Sequence, residues 1–218
     1  MPQIFRPYAD TLMRVALLSI VILPIAFVAG AYAVMWSPYI TGENITLEQP
    51  VPFSHQHHVG MLGLDCRYCH TAVEQSPVAS LPPTHTCMTC HSQLYTNTPM
   101  LSKVVESYTN KTPIHWKRVN RLPAYVYFDH SVHIHNGVGC TECHGQIDQM
   151  PLTRQAAPLV MAWCLDCHRN PAPHLRPNAE VFNMDWKPTT DRLALGRHLL
   201  EVYKIKPARL SECSVCHR

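Results

Sequence analysis

One pattern limits what this chain of 218 residues can fold into more than any other: C-x-x-C-H occurs five times. The copies are Cys66–His70, Cys87–His91, Cys140–His144, Cys164–His168 and Cys213–His217. Two thiols at this spacing lie on one side of a helical turn, where they can add to the two vinyl groups of a porphyrin. The next residue then points at the iron. This is the attachment signal for c-type haem, and the His supplies the proximal axial imidazole. Zinc sites join such pairs in twos, and five pairs leave one over. A redox dithiol has no reason to recur. With 15 His in the chain, chance would place one after all five pairs roughly once in a million. Five covalently bound haem c groups are therefore expected. The attaching residues are Cys66, Cys69, Cys87, Cys90, Cys140, Cys143, Cys164, Cys167, Cys213 and Cys216, with His70, His91, His144, His168 and His217 as proximal ligands. All ten cysteines are used, so no disulfide remains.

The rest of the composition agrees. There are 19 Pro, and only 15% of residues are charged. Setting aside an N-terminal apolar stretch leaves about 36 residues per haem, too few for a conventional core around each macrocycle. The expected fold is a mainly α and irregular multihaem cytochrome c: one N-terminal transmembrane helix and a loop-rich pentahaem domain with little β structure. The formal charge of +3 does not mark a nucleic-acid face. Haem propionates on five groups would take the whole to roughly −2 oxidised or −7 reduced.

Val15 to Trp36 is a run of 22 residues without a charge. As a helix it spans about 33 Å, enough for a bilayer's hydrocarbon core. Arg6 and Arg14 precede it, which predicts a cytoplasmic N-terminus and a haem domain on the periplasmic side. Ala31-Tyr32-Ala33 resembles a signal-peptidase site, but the apolar run is longer than a signal h-region, so an uncleaved single-pass anchor in a bacterial cytoplasmic membrane is expected. The organisation then reads as 1–36 anchor, 37–52 extended Pro- and Gly-containing linker, and 53–218 haem domain. Within the last, F-x-H-x-x-H occurs twice, at Phe53–His58 and Phe128–His133, each time followed by two haem motifs. This repeat divides the domain into lobes 53–122 and 123–218, joined across Ser92–Pro123. Ser102–Tyr108 reads as a short helix. Thr189–Ile205 reads as a longer one, capped by Thr189 or Thr190. Tyr125–Phe128 reads as extended.

Ten His lie outside the motifs: His55, His57, His58, His85, His115, His130, His133, His135, His174 and His198. A lone His is more often structural than a ligand. The F-x-H-x-x-H pairs differ, because i, i+3 spacing lets two imidazoles leave one helical turn toward neighbouring haems. The arrangement resembles the class III cytochrome c family. The resemblance implies that His55 and His58 serve two haems and His130 and His133 two more. In the trihaem members of that family a ligand just before the second motif serves the third haem. The residue near that place here is Met161, which either ligates the haem of Cys213–His217 or packs on a porphyrin as a core methionine. Met150, Met184, Met100, His115 and His198 are the alternatives.

Beyond these motifs the chain resembles the pentahaem, membrane-anchored cytochrome c subunit of alternative complex III. The resemblance rests on the anchor, FSHQHHVGMLGLDCRYCH, CMTCHSQL with TNTPML after it, YVYFDHSVH, GVGCTECHGQIDQMPL, MAWCLDCHR and CSVCHR. It implies an electron-transfer subunit, not an enzyme on its own. Such a subunit takes electrons from quinol oxidation by way of an iron–sulfur subunit, beside a quinol-binding membrane subunit. It passes them toward a monohaem cytochrome c, another periplasmic carrier or a terminal oxidase. The alternative is a membrane-anchored multihaem quinol dehydrogenase feeding a periplasmic reductase. In that class the first motif follows the anchor closely, whereas here about 30 residues intervene. An enzyme acting at an open haem is disfavoured, because candidate ligands outnumber haems.

Overall fold

The computed structural model describes residues 4–217. The chain divides into two units, Met1–Gly42 and Glu43–Arg218. In the first, α1 spans Ala9–Met35 and α2 spans Pro38–Thr41. The apolar helix starts six residues before the uncharged run, because Asp10 and Arg14 pair at 2.8 Å one turn apart and extend it toward the N-terminus. Its best window has a mean hydropathy of 2.5, and its length, about 40 Å, suffices to cross a membrane. Pro24 lies inside α1 without ending it. Gly42, at φ 73°, closes α2 in the left-handed region that glycine takes without strain.

The second unit is built from short helices and irregular chain. They are α3 (Cys66–Cys69), α4 (Thr84–His91), α5 (Ser102–Asn110), α6 (His130–His135), α7 (Cys140–His144), α8 (Met161–Arg169), α9 (Arg192–Val202), α10 (Pro207–Leu210) and α11 (Cys213–Cys216). Each C-x-x-C-H motif forms or ends a helical turn, so both thiols of a pair share one side. Among the described residues there is no strand, only isolated bridges such as Val126 to His217 and Val138 to Leu175. The first of these accounts for the extended reading of Tyr125–Phe128, and the Tyr127 N–H donates to the Cys216 carbonyl at 2.7 Å. Residues 43–49 are also paired. Glu43 and Thr46 bridge to Gln155 and Arg154, while the Gln49 side chain brackets Lys117, donating to its carbonyl at 2.8 Å and accepting from its N–H at 2.9 Å.

Two helix limits differ from the sequence expectation. α9 begins at Arg192, not Thr189, because the Asp191 carboxylate accepts from the Ala194 N–H at 2.7 Å and takes the cap. α5 runs on to Asn110 and stops where Lys111 turns left-handed at φ 53°. The apolar core made by protein alone is small. Leu175 and Val181 are the large side chains enclosed completely. One buried cluster joins Val73, Ile134 and Val181, with Cys140 and Phe182 against it. Early, middle and late segments therefore share one interior, and that interior lies beside a haem motif.

Candidate functional site

The second unit holds imidazoles in facing pairs. His55 faces His70 with ring centres 6.5 Å apart and planes 7° from parallel. His58 faces His91 at 6.1 Å and 64°. His130 faces His144 at 6.5 Å and 4°, and His133 faces His168 at 6.2 Å and 29°. Each pair joins one motif His to one His of F-x-H-x-x-H. Both copies of that sequence are built alike. Phe53 stacks on His58 at 4.4 Å and stands edge-on to His55 at 4.9 Å. Phe128 does the same to His133 at 4.7 Å and His130 at 4.8 Å. The second copy sits on α6, whose first turn is capped by Asp129 accepting from the Ser131 and Val132 N–H groups. The first leads into a π-helical turn, Gln56–Met61, a form found frequently at functional sites.

Each paired ring is oriented through Nδ1. Six donate to backbone carbonyls: His58 to Ser54 at 2.8 Å, His70 to Ser80 at 2.7 Å, His91 to Leu94 at 3.2 Å, His130 to Pro77 at 2.8 Å, His133 to Asp129 at 2.7 Å and His168 to Leu210 at 3.0 Å. A bonded Nδ1–H leaves Nε2 as the free lone pair, the tautomer a metal needs. Burial, reinforced by His70 and then His144, lowers the pKa of His55 to about 4. Burial, reinforced by His130 and His70, lowers that of His144 to about 4. Burial likewise outweighs the Ser54 and Asp129 hydrogen bonds and lowers His58 and His133. These four rings are thus neutral at pH 7.

A group with two axial imidazoles needs two metal–nitrogen bonds of about 2 Å each and about 1 Å from each nitrogen to its ring centre, or about 6 Å in all. The facing rings meet that requirement, so the residues at four motifs fit haem. At the fifth, the ring of His217 lies 5.8 Å from Tyr125 instead of from a second imidazole. Met161, at the first position of α8, is 60% exposed, while Met150 and Met184 are enclosed by protein at 3% and 8%. His57, His85, His115, His135 and His198 are exposed.

No disulfide joins any of the ten cysteines. Burial pushes Cys140 up to about 12, with the Cys66 charge adding to it. Burial raises Cys143 to about 12, with Cys167 the next contributor. Cys69 is raised by burial and then by Cys87, and Cys164 by burial and then by Cys216. These neighbours place the motifs side by side. Hydrogen bonds agree: Tyr68 in the first motif meets Thr89 in the second at 2.8 Å, and the Cys216 Sγ lies 3.9 Å from Nδ1 of His168.

Sequence reasoning missed the polar supports. Thr153 Oγ1 meets Nδ1 of His55 at 2.9 Å, and the Asn120 amide meets Nδ1 of His144 at 3.3 Å. Glu142, inside the third motif, holds Arg176 at 3.1 Å, Arg192 at 2.8 Å and His174 at 2.9 Å. Arg176 is buried against Gly139, where any Cβ would overlap its guanidinium. All these partners are distant in sequence, so no local pattern carries them.

No protein-family profile matches the chain. Over 98 residues it is 35% identical to the multihaem cytochrome c subunit of menaquinone reductase from Nitratidesulfovibrio vulgaris, 44% of this chain and 46% of that one. The fold is that of a multihaem cytochrome c. The alignment spans about half the length of the relative.

Proposed function

We propose that this chain is the electron-transfer subunit of a membrane quinol oxidoreductase of the alternative complex III kind, with five covalent haem c groups. The observation that carries this reading is the set of four imidazole pairs at 6.1–6.5 Å, each drawn from one C-x-x-C-H and one F-x-H-x-x-H. Bound haem would supply reversible one-electron chemistry. The cysteine pairs would anchor it, and His70, His91, His144, His168 and His217 would hold its iron. His55, His58, His130 and His133 would be the second imidazoles at the first four motifs. Met161 would take that role at the fifth, being exposed where Met150 and Met184 are enclosed by protein. Burial of the rings excludes water and keeps their lone pairs available.

Neighbouring thiols and hydrogen bonds support a single file of attachment sites, in the order second, first, third, fourth, fifth motif. His58 and His55 link the first two of that file from one turn, and His130 and His133 link the third and fourth motifs from another. The Val73, Ile134 and Cys140 contact joins the halves. Such a file has two ends, one for a donor and one for an acceptor. An iron–sulfur subunit, a quinol-binding membrane subunit and a monohaem cytochrome c are the partners this reading requires. Arg6 and Arg14 before the apolar run support a cytoplasmic N-terminus and a periplasmic haem domain.

A second reading keeps the subunit and reverses the current: the relative's name is menaquinone reductase, which favours electrons running toward quinone. The test is a pyridine haemochrome count on the full chain, followed by anaerobic mixing of the purified complex with menaquinol. Five haems per chain and fast reduction of their α-band support quinol oxidation. Reduction only from a periplasmic donor, with quinone as the sink, would overturn that direction. Fewer than five haems would overturn the cofactor assignment.

A further inference from the structure

Of the eight imidazoles in facing pairs, two are steered by a side chain instead of a backbone carbonyl: His55 by Thr153 and His144 by Asn120. The second case leaves a polar atom unsatisfied. With the amide nitrogen Nδ2 turned toward Nδ1 of His144 at 3.3 Å, the amide oxygen Oδ1 of Asn120 is buried with no partner. A His144 that offers Nε2 to a metal carries its proton on Nδ1 and needs an acceptor there. Nitrogen and oxygen of an amide are told apart by their hydrogen bonds. Turning this amide over places the orphaned oxygen opposite the Nδ1–H. The contact is also held in place from outside. Asn120 lies in the irregular segment between α5 and α6, and three residues before it the backbone of Lys117 is bracketed by Gln49.

We infer that Asn120 is a positioning residue for the third motif, its amide oxygen accepting from Nδ1–H of His144 and setting the electron density that ring gives to iron. The inference rests on the ligand reading given under Proposed function. A hydrogen-bond acceptor on the far nitrogen of a ligating His fixes the ring and raises its basicity, and this is one of the protein's levers on haem potential. A backbone carbonyl cannot be changed by substitution, but Asn120 can. A carboxylate there is a stronger acceptor and stabilises the ferric form, whereas an apolar side chain removes the acceptor and favours the ferrous form.

The test uses the full chain in detergent, with wild type, Asn120→Asp, Asn120→Leu and His130→Ala followed by low-temperature electron paramagnetic resonance during a redox titration. In Asn120→Asp one midpoint moves down and one low-spin signal shifts, and the other four stay in place. Asn120→Leu moves the same midpoint up. The affected signal is the one that disappears in His130→Ala, because His130 and His144 face each other. Asn120→Asp is nearly isosteric and decides the matter alone if the leucine variant does not mature. If the wild type shows paired-imidazole signals and Asn120→Asp moves none of them, the inference about Asn120 is wrong and the ligand reading stands. Survival of the moved signal in His130→Ala would overturn the pairing of His130 with His144, and this inference with it. If the wild type lacks such signals, the ligand reading falls and this inference with it.

Discussion

At the scale of the residue, the angle between facing rings is a measurable quantity. Near-parallel imidazole planes split the iron d orbitals that carry the ferric hole, and crossed planes leave them almost degenerate. His55 with His70 and His130 with His144 lie at 7° and 4°, so their haems should give rhombic low-spin signals. His58 with His91 lies at 64° and should give a strongly anisotropic one, lost in His58→Ala. Finding that signal unchanged in His58→Ala would break the pairing. Met161 makes a second prediction. Thioether sulfur favours Fe(II) relative to imidazole, so one haem should titrate above the rest. Met161→His should keep it low-spin and lower its potential by on the order of 100 mV, within the range axial ligands span. Titrating wild type and variant together decides whether Met161 is a ligand. The grouping of each thiol pair with its His was legible because a C-x-x-C-H motif contains its whole local geometry. Asn120 and Thr153 were not, because their partners lie 24 and 98 residues away.

At the scale of the element, the turn carrying His55 and His58 is defined by what it packs against. The Gln56 N–H donates to the Met150 carbonyl at 3.0 Å, and Gly60 lies so near Asp148 that a Cβ there would overlap the Asp148 carbonyl. Gly60→Ala should therefore push the π-helical turn off the segment Ile147–Gln149. The expected cost is about 1–3 kcal/mol, as for other overpacked sites. Because two imidazoles leave this turn, part of the first and second haems should become high-spin. Absorption near the high-spin charge-transfer band reports this, and a fully low-spin spectrum would show that the turn can shift without moving its rings. The i, i+3 spacing of both His pairs was readable in the sequence as a helical turn, but the Asp129 cap of α6 and the π-helical form of the first copy were not. That form depends on the contact with the segment 147–149, which lies about 90 residues away in the chain.

At the scale of the whole molecule, Glu142 ties the third motif to the late chain. It meets His174, Arg176 and Arg192, of which Arg176 is only 4% exposed at its side chain. Glu142→Gln leaves that guanidinium buried without a counter-charge. Removing one partner of a buried pair typically costs about 3 kcal/mol or more, so the thermal midpoint followed by circular dichroism should fall clearly. An unchanged midpoint would mean that Thr141 and Asn183, which also accept from Arg176, suffice. The order of the sites belongs to this scale as well. Chain order runs from the first motif to the fifth, but Cys66 lies toward Cys140 and Cys69 toward Cys87, so the first motif stands between the second and the third. By itself the sequence determined the recurrence of C-x-x-C-H, the apolar helix and the recurrence of paired His, since each is written in spacings of a few residues. Only the tertiary structure decided which imidazole faces which, which polar group steers each ring, and which motif stands next to which. Those outcomes depend on packing between segments far apart in the chain, and local spacing contains no trace of that packing.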